Sequence, residues 1–545
     1  MNAIATAYRR TLFAALLLAG LVVGLAMLEF IGLPAGAASG DTERVSVDSL
    51  GGEANGGDST AAAISDDGRF VAFHSKATNL VANDTNGVRD VFVRDRQTGQ
   101  TTRVSVDSLG GEVGGGGSGP AISGDGRFVA FASVASDLVA GDTNSVVDIF
   151  VHDRQTGQTT RVSVDSLGGE VDGSSLDADI SDDGRFVAFT SHASNLVAGD
   201  ANSVRDVFVH DRQTGQTTRV SVDSGGGDAD DSSRFATISD DGRFVAFESD
   251  APDLVPGDTN GFQDIFVRDR QNGQTVRVSV DNLGGQSDAD SYFPVISDDG
   301  RFVAFGSDAT GLVPGDTNGW GDIFVHDRQT SETTRVSLDS LGGEPNEESY
   351  GSTISDDGRF VAFISLATDL VPGDTNGFRE IFVHDRQTGQ TTRVSVDSLG
   401  GQAHDRSVDP ASSGDGRFVV FDAEATNLVP GDTNGFRDIF LHDRGVETNA
   451  LWGDDDCNGA VAAVDALKNL QHVAAIDFTQ NDPCFPLGET VGVSLAGVTN
   501  YPWGDIDCDQ DVDAVDALGI LRSIAAFPVS QKEGCPEIGS EVLVS

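Results

Sequence analysis

Near the C-terminal end of this 545-residue chain, oxygen-bearing side chains recur at fixed intervals in two stretches. Residues 453–465 read GDDDCNGAVAAVD and residues 504–516 read GDIDCDQDVDAVD, an offset of 51. With Asp454 as position 1, ligand types stand at positions 1, 3, 5 and 12: Asp454, Asp456, Asn458 and Asp465. In the second stretch they stand at 1, 3, 5, 9 and 12: Asp505, Asp507, Asp509, Asp513 and Asp516. Position 7 offers a main-chain carbonyl, from Ala460 and from Asp511. A loop of about 12 residues with oxygens at these places wraps calcium, which takes roughly 6–8 hard oxygen ligands. Ala462 at position 9 leaves that ligand of the first loop to water, so the first site is the weaker. Each loop runs into a helical pattern, Ala466-Leu467-Lys468-Asn469-Leu470 and Ala517-Leu518-Gly519-Ile520-Leu521.

A second acidic pattern, G-D-T-N-G-F-x-D, recurs through the rest of the chain, from Asp84/Asn86/Asp90 to Asp432/Asn434/Asp438. Oxygens at i, i+2 and i+6 suit calcium, but three ligands are few. Asp-x-Asn-Gly also makes an Asx-type turn, with Gly taking the positive φ. A turn is the expectation here, and calcium in some copies the alternative. Catalytic constellations are thin. Five of the nine His (His152, His210, His326, His384 and His442) share one repeat position, which Arg94 and Arg268 fill elsewhere. Such periodicity belongs to structure. There is no Gly-x-Ser-x-Gly elbow and no His-Glu-x-x-His. Carboxylates are abundant enough for acid/base cleavage of a glycosidic bond. A secreted carbohydrate-active hydrolase or lyase therefore stands as the alternative to a non-catalytic binding protein.

The elements that carry these residues are written seven times. ISDDGRFVAF at residues 64–73 returns at 122, 180, 238, 296, 354 and 412, each step being 58 residues. Each unit contains a short apolar run (62–64), a strand (69–73), a polar loop, a strand (90–95), a tight Gln97-Thr98-Gly99-Gln100 turn and a last strand (102–107). FVAF and VFV are continuous apolar runs, as in strands covered on both faces, whereas RVSVD alternates. Four such strands make a propeller blade. RVSV-type runs begin at Arg44 and again six times up to Arg393, but none follows the last unit at 438–443. Pairing residues 43–48 with 438–443 closes a ring of seven and removes the open edge that a linear solenoid would leave. The fold class is thus an all-β seven-bladed propeller over 42–445, followed by a small α-helical duplicated calcium-loop domain over 451–545.

Over residues 42–445, the D-G turn leading into an apolar strand and then an I-F-V-x-D strand resembles the TolB-like propeller repeat. That resemblance implies a fold and leaves the function open. Over about 452–540, the duplicated loop–helix resembles the dockerin module. The resemblance implies calcium as cofactor and a cohesin-like or other extracellular protein receptor as partner, in polysaccharide degradation. The usual Ser-Thr pair at loop positions 10 and 11 is replaced by Ala463-Val464 and Ala514-Val515, and Gln510 stands for Gly at position 6. These departures weaken the case for a cohesin partner more than the case for calcium. Four Cys allow three pairings; repeat symmetry favours Cys457–Cys484 and Cys508–Cys535, both spanning 27 residues.

Residues 1–38 read as a signal peptide: Arg9-Arg10, an uncharged apolar run, then PAGAASG. An uncleaved N-terminal anchor is the alternative, and membrane contact is expected only in that case. Export places the protein outside the cell or on its surface and permits disulfides. The formal charge of −51 disfavours nucleic acid as a partner. The segments linking consecutive units vary most and share one face, so a ligand belongs there; Tyr292, Trp320 and Tyr350 could stack on a glycan. Calorimetric titration of chelator-treated protein beginning near residue 39 is expected to count two calcium ions, one per C-terminal loop. Several more ions would assign calcium to the D-T-N-G loops as well.

Overall fold

The first repeat folds into β2 (Ser59–Ile64), β3 (Phe70–Ser75), β4 (Asp90–Asp95) and β5 (Gln100–Arg103), preceded by β1 (Thr42–Arg44). These and the remaining strands come from a computed structural model that describes residues 40–445 and five short strands beyond them, Thr448–Leu451, Thr490–Val491, Val493–Ser494, Tyr501–Pro502 and Glu541–Val544. The N-terminal segment 1–38, both calcium loops, the helical patterns after them and all four Cys lie outside the described residues.

β2 to β5 form one antiparallel sheet in that order, and five equivalent four-stranded sheets follow at intervals of one repeat. The blades cover residues 59–103, 118–161, 175–219, 233–277, 291–335 and 349–393, here blades 1 to 6. Blade 7 holds Ser407–Ser412, Phe418–Ala423 and Asp438–Asp443, and its fourth strand is β1. Thr42 pairs with His442, Glu43 with Leu441 and Arg44 with Phe440, so the chain's first strand closes the ring on its last.

The continuous apolar runs are the buried middle strands. Val71, Ala72 and Phe73 on β3 and Val91, Phe92 and Val93 on β4 are fully inaccessible. Phe73 and Phe92 lie opposite each other and stack with centroids 5.9 Å apart, a pair repeated in every blade. A hydrophobic cluster fills each interface between neighbouring blades. The one across the ring closure joins Val45, Ile64, Val71 and Phe73 to Val420, Ile439 and Leu441.

The outer strand differs from the expectation of 102–107. It ends at Arg103, because Ser105 leaves the ladder to serve β4 by its side chain: its Oγ donates to Asp90 Oδ1 at 2.6 Å and accepts the Val91 N–H at 3.0 Å. The closing strand is shortened likewise, from 43–48 to 42–44, with Ser46 Oγ donating to Asp438 Oδ1 at 2.5 Å.

Two arginines explain why the sequence repeats so closely. Arg69 forms a two-pronged pair with Asp95 (2.9 and 2.8 Å) and lies over the Phe70 ring, 4.6 Å from its centroid. Arg154 of the next blade covers Phe70 at 4.2 Å, so the ring is held between two guanidinium groups. Gly126 of that next blade has φ 68°, and a Cβ there would overlap the Phe70 ring. The Asp-Gly-Arg-Phe run is thus both turn and inter-blade contact, including the closing interface, where Arg96 lies over Phe418 at 4.4 Å.

The D-T-N-G loops are turns. Asn86 Oδ1 accepts the Val88 N–H at 3.0 Å while Asn86 Nδ2 donates to Asp90 Oδ2 at 3.2 Å. The carboxylates of Asp84, Asp90 and Glu112 do converge, but the guanidinium of Arg103 stands among them, with Nη1 at 3.6, 3.3 and 2.9 Å. The cation of this cluster is the arginine of the RVSV run. The same arrangement gathers Asp142, Asp148 and Glu170 around Arg161 at 3.2, 3.6 and 3.1 Å. Replacing one member of a buried charge cluster costs about 3–5 kcal/mol. Arg161→Met, which leaves three facing carboxylates, is expected to destabilise by that amount in urea unfolding.

Candidate ligand site at the channel mouth

The seven innermost strands line a channel of about 710 Å³ on the propeller axis. Each strand slips register once, as between Thr60 and Ala63 in β2, and the residue at the slip adopts a left-handed backbone. The seven are Ala61 (φ 53°), Gly119 (58°), Asp177 (53°), Phe235 (50°), Phe293 (52°), Gly351 (58°) and Asp409 (53°). Five of them are not glycine, and such backbone costs of order 1–3 kcal/mol each. A bulge re-aims side chains; here Ala61, Asp177, Phe235, Phe293 and Asp409 line the channel.

Those residues change from blade to blade although their surroundings do not. The position before each slip reads Thr60, Ser118, Leu176, Arg234, Tyr292, Tyr350 and Val408. The facing position on the second strand reads His74, Ala132, Thr190, Glu248, Gly306, Ile364 and Asp422. In two cases this facing side chain holds the left-handed residue of the next blade: the Gly119 N–H donates to His74 Nδ1 at 3.1 Å, and the Phe293 N–H to Glu248 Oε2 at 2.8 Å.

The first contact fixes a tautomer. With Nδ1 accepting, the His74 proton sits on Nε2 and points at Thr60 Oγ1, 2.6 Å away. Burial, helped by Arg89, pushes the His74 pKa down to about 4, so the ring is neutral. It donates to the Thr60 hydroxyl and is not placed to take its proton, which argues against a Thr–His nucleophile at this position.

Blades 4 to 6 build an aromatic recess of about 480 Å³ lined by Phe235, Tyr292, Phe293 and Tyr350 together with Arg234, Gln263 and Glu348. Phe235 meets Phe293 edge to face at 4.9 Å, and Tyr292 meets Phe293 at 5.6 Å. Tyr292 is bedded by two glycines of its own blade: a Cβ on Gly306 would overlap its ring and one on Gly321 would come within 2.7 Å of its hydroxyl. That hydroxyl donates to Asp308 at 3.0 Å. Across the mouth, Asp409 and Asp422 form a carboxyl pair. Asp422 is wholly buried, and burial, with Asp409 beside it, raises its pKa to about 8 despite Arg437 Nη1 at 3.0 Å.

Of the residues expected to stack on a ligand, Tyr292 and Tyr350 meet in the recess. Trp320 does not line it; it is 43 % exposed on the loop between the middle strands, as are Phe262, Phe378 and Phe436 in equivalent places. The repeated His are structural, as with His152 Nδ1 on Thr159 Oγ1 at 3.0 Å. All ten C-terminal calcium positions, Asp454 to Asp516, lie outside the described residues. Tyr292 and Tyr350 stand beside the slips within the variable segments that the sequence marked; the facing partners such as His74, Glu248 and Asp422 were missed, although their variability within near-identical repeats marks them too.

At the opposite end of the channel the first Asp of the D-D-G turns gathers near the axis: Asp66, Asp182, Asp240, Asp298 and Asp356. The two remaining blades carry glycine, and a Cβ on Gly124 would overlap the carboxylates of Asp182 and Asp66.

No protein-family model and no curated protein matches the sequence. Solved structures similar in fold include an oligogalacturonate lyase in complex with manganese, 13% identical with a TM-score of 0.44, the match covering 74% of this chain and 98% of that one. Another is the β-propeller domain of the Trilobed protease from Pyrococcus furiosus, 13% identical, TM-score 0.44, covering 72% and 94%. A third is the putative TolB from Agrobacterium tumefaciens, 15% identical, TM-score 0.34, covering 64% and 95%.

The axial carboxylates set a pH dependence. Burial and mutual repulsion raise their pKa values, to about 6 for Asp240, about 8 for Asp66 and about 10 for Asp298. Groups raised above the unfolded value of about 3.9 lend stability that is complete below it and lost as pH climbs through the folded values. Thermal midpoints are therefore expected to fall between pH 5 and pH 9, a range about as wide as those raised values. Asp298→Asn should flatten that fall, matching the parent near pH 4 and exceeding it near pH 9. Parallel curves for the two proteins would refute the assignment.

Proposed function

We propose that the protein is a secreted, non-catalytic binding platform that takes a glycan at the channel mouth of its propeller. The observation that carries this reading is the concentration of variation: in seven near-identical blades, the positions that differ most converge on one mouth, where the backbone is strained to present them. Aromatic faces beside planar polar side chains such as Arg234, Gln263 and Glu348 suit a sugar ring, whose C–H face stacks while its hydroxyls hydrogen-bond. The C-terminal module is proposed to attach the platform. Its two calcium loops, Asp454/Asp456/Asn458/Asp465 and Asp505/Asp507/Asp509/Asp513/Asp516 with the Asp511 carbonyl, would order a docking surface for a cohesin-like or other extracellular protein receptor. The setting is extracellular or at the cell surface, in the processing of polysaccharides.

One observation favours the second reading, a hydrolase or lyase: the Asp409–Asp422 pair holds a carboxyl raised to about 8 at the mouth, as a general acid requires. Screening the full mature chain against immobilised glycans decides between them. The platform reading expects retention without turnover, weakened about tenfold or more by Tyr292→Ala at unchanged thermal midpoint. Product release abolished by Asp422→Asn would install the enzyme reading instead.

A further inference from the structure

We infer that the saccharide received at the mouth is acidic, its carboxylates meeting Arg379 on one side and Lys76 and Arg89 on the other. The inference rests on the glycan-binding reading above and names its ligand class. It comes from where the propeller keeps its basic side chains. Residues 40–445 hold 30 Lys and Arg, and 23 of them occupy repeat positions: the Arg44, Arg69 and Arg96 series, with Arg94 and Arg268. Those series neutralise carboxylate clusters, pair with strand-end aspartates and cover phenylalanine rings. Of the other seven, Arg89, Arg205, Arg379 and Arg437 share one variable position that Val147, Gln263 and Gly321 fill in the remaining blades, and all seven stand at the mouth end of the blades. Arg89, Arg205, Arg379 and Arg437 precede the third strand; Arg234 and Arg406 flank the start of the first; Lys76 follows the second.

Four of the seven have partners. Arg234 Nε reaches Glu248 at 2.6 Å, Arg437 pairs with Asp422 at 3.0 Å, Arg406 pairs with Glu424, and Arg205 Nε donates to His192 Nε2 at 2.9 Å. Lys76, Arg89 and Arg379 form no ion pair among the described residues. Lys76 and Arg89 are exposed on blade 1, and Lys76 is the one lysine of the propeller. The Arg379 guanidinium lies over the Tyr350 ring, 5.4 Å from its centroid, beside the aromatic recess. A guanidinium laid on an aromatic face keeps its donor edge free, and that fork grips a carboxylate while the neighbouring rings pack on the sugar. His74 is neutral and adds no charge.

A net charge of −51 would repel a polyanion at a distance. The screening length is about 8 Å at physiological ionic strength, so a ligand carboxylate at the mouth meets Arg379, Lys76 and Arg89 together with the mouth's own acids, Asp177, Asp409 and Glu348. Lys76, Arg89 and Arg379 are the mouth cations without a carboxylate partner among the described residues, and an anionic ligand is what would pair them.

The test is affinity electrophoresis of the full mature chain in gels containing alginate, polygalacturonate, hydroxyethylcellulose or poly-glutamate. A chelator is present throughout, so that calcium cannot bridge ligand and protein carboxylates. Retardation by the two polyuronates is expected, falling about tenfold or more in Lys76→Gln/Arg89→Gln/Arg379→Gln, with an unchanged thermal midpoint. Equal retardation of the triple variant overturns the inference, as does equal retardation by poly-glutamate, which would make the ligand an acidic peptide. Retardation by hydroxyethylcellulose alone, lost in Tyr292→Ala and kept in the triple variant, overturns the acidic ligand and leaves the glycan platform standing. Retardation by no polymer overturns both.

Discussion

A phenylalanine ring held between two guanidinium groups, one from its own blade and one from the next, is the contact on which the disc depends. Cation–π contacts are worth about 0.5–2 kcal/mol each, and this one recurs at every interface, with Arg154 over Phe70 and Arg96 over Phe418 as two of its seven instances. It is also demanding. The Arg must be anchored, as Arg69 is by Asp95. The facing turn must be a glycine, as Gly126 is, because any side chain would enter the space of the ring. A change at one of these five positions is felt by two blades, which gives a physical reason for the same phrase to be written seven times.

This rigidity is confined to one part of each blade. The Asp-Gly-Arg-Phe contacts lie at the turn between the first two strands, while the register slips lie towards the other end of the same first strands. Left-handed Phe235 and Phe293 are strained, and strain of that kind persists only where the surroundings over-determine it. Here the variable facing position supplies the constraint: the Phe293 N–H is fixed on Glu248 of the preceding blade, and Tyr292 is seated on Gly306. The scaffold is repetitive so that the mouth can be irregular.

Much of this was legible in the sequence. The 58-residue period, the buried FVAF and VFV strands, the turn nature of the D-T-N-G loops and the closure by a spare N-terminal strand follow from local pattern and phase. What escaped was relational. RVSV looked like four residues of a strand, yet only its Arg stays in the ladder, because Ser105 bonds Asp90 across the sheet. The bulge position carries Ala61, Phe235 or Phe293 in three blades, where nothing local announces its positive φ. The first Asp of the D-D-G turns read as solvent-facing turn chemistry, and only the ring geometry brings Asp66 and Asp182 together. Position-by-position comparison of the copies separates residues that serve the lattice from those that do not, and the latter trace the mouth.

The same reasoning divides the chain's acidity into two economies of charge. In the propeller each cluster such as Asp84, Asp90 and Glu112 has its cation built in, because the RVSV run delivers Arg103 among the carboxylates. A built-in cation needs no metal. The C-terminal loops at 454–465 and 505–516 set their Asp side chains at comparable density but contain no Lys or Arg. Their like charges cannot be neutralised from within the loop, and closing such a loop in water without a counter-ion would bring carboxylates together at a cost that only an external cation offsets. The segment that lacks arginine is therefore where calcium is proposed to act, whereas the propeller's carboxylate clusters carry their counter-charge in their own sequence.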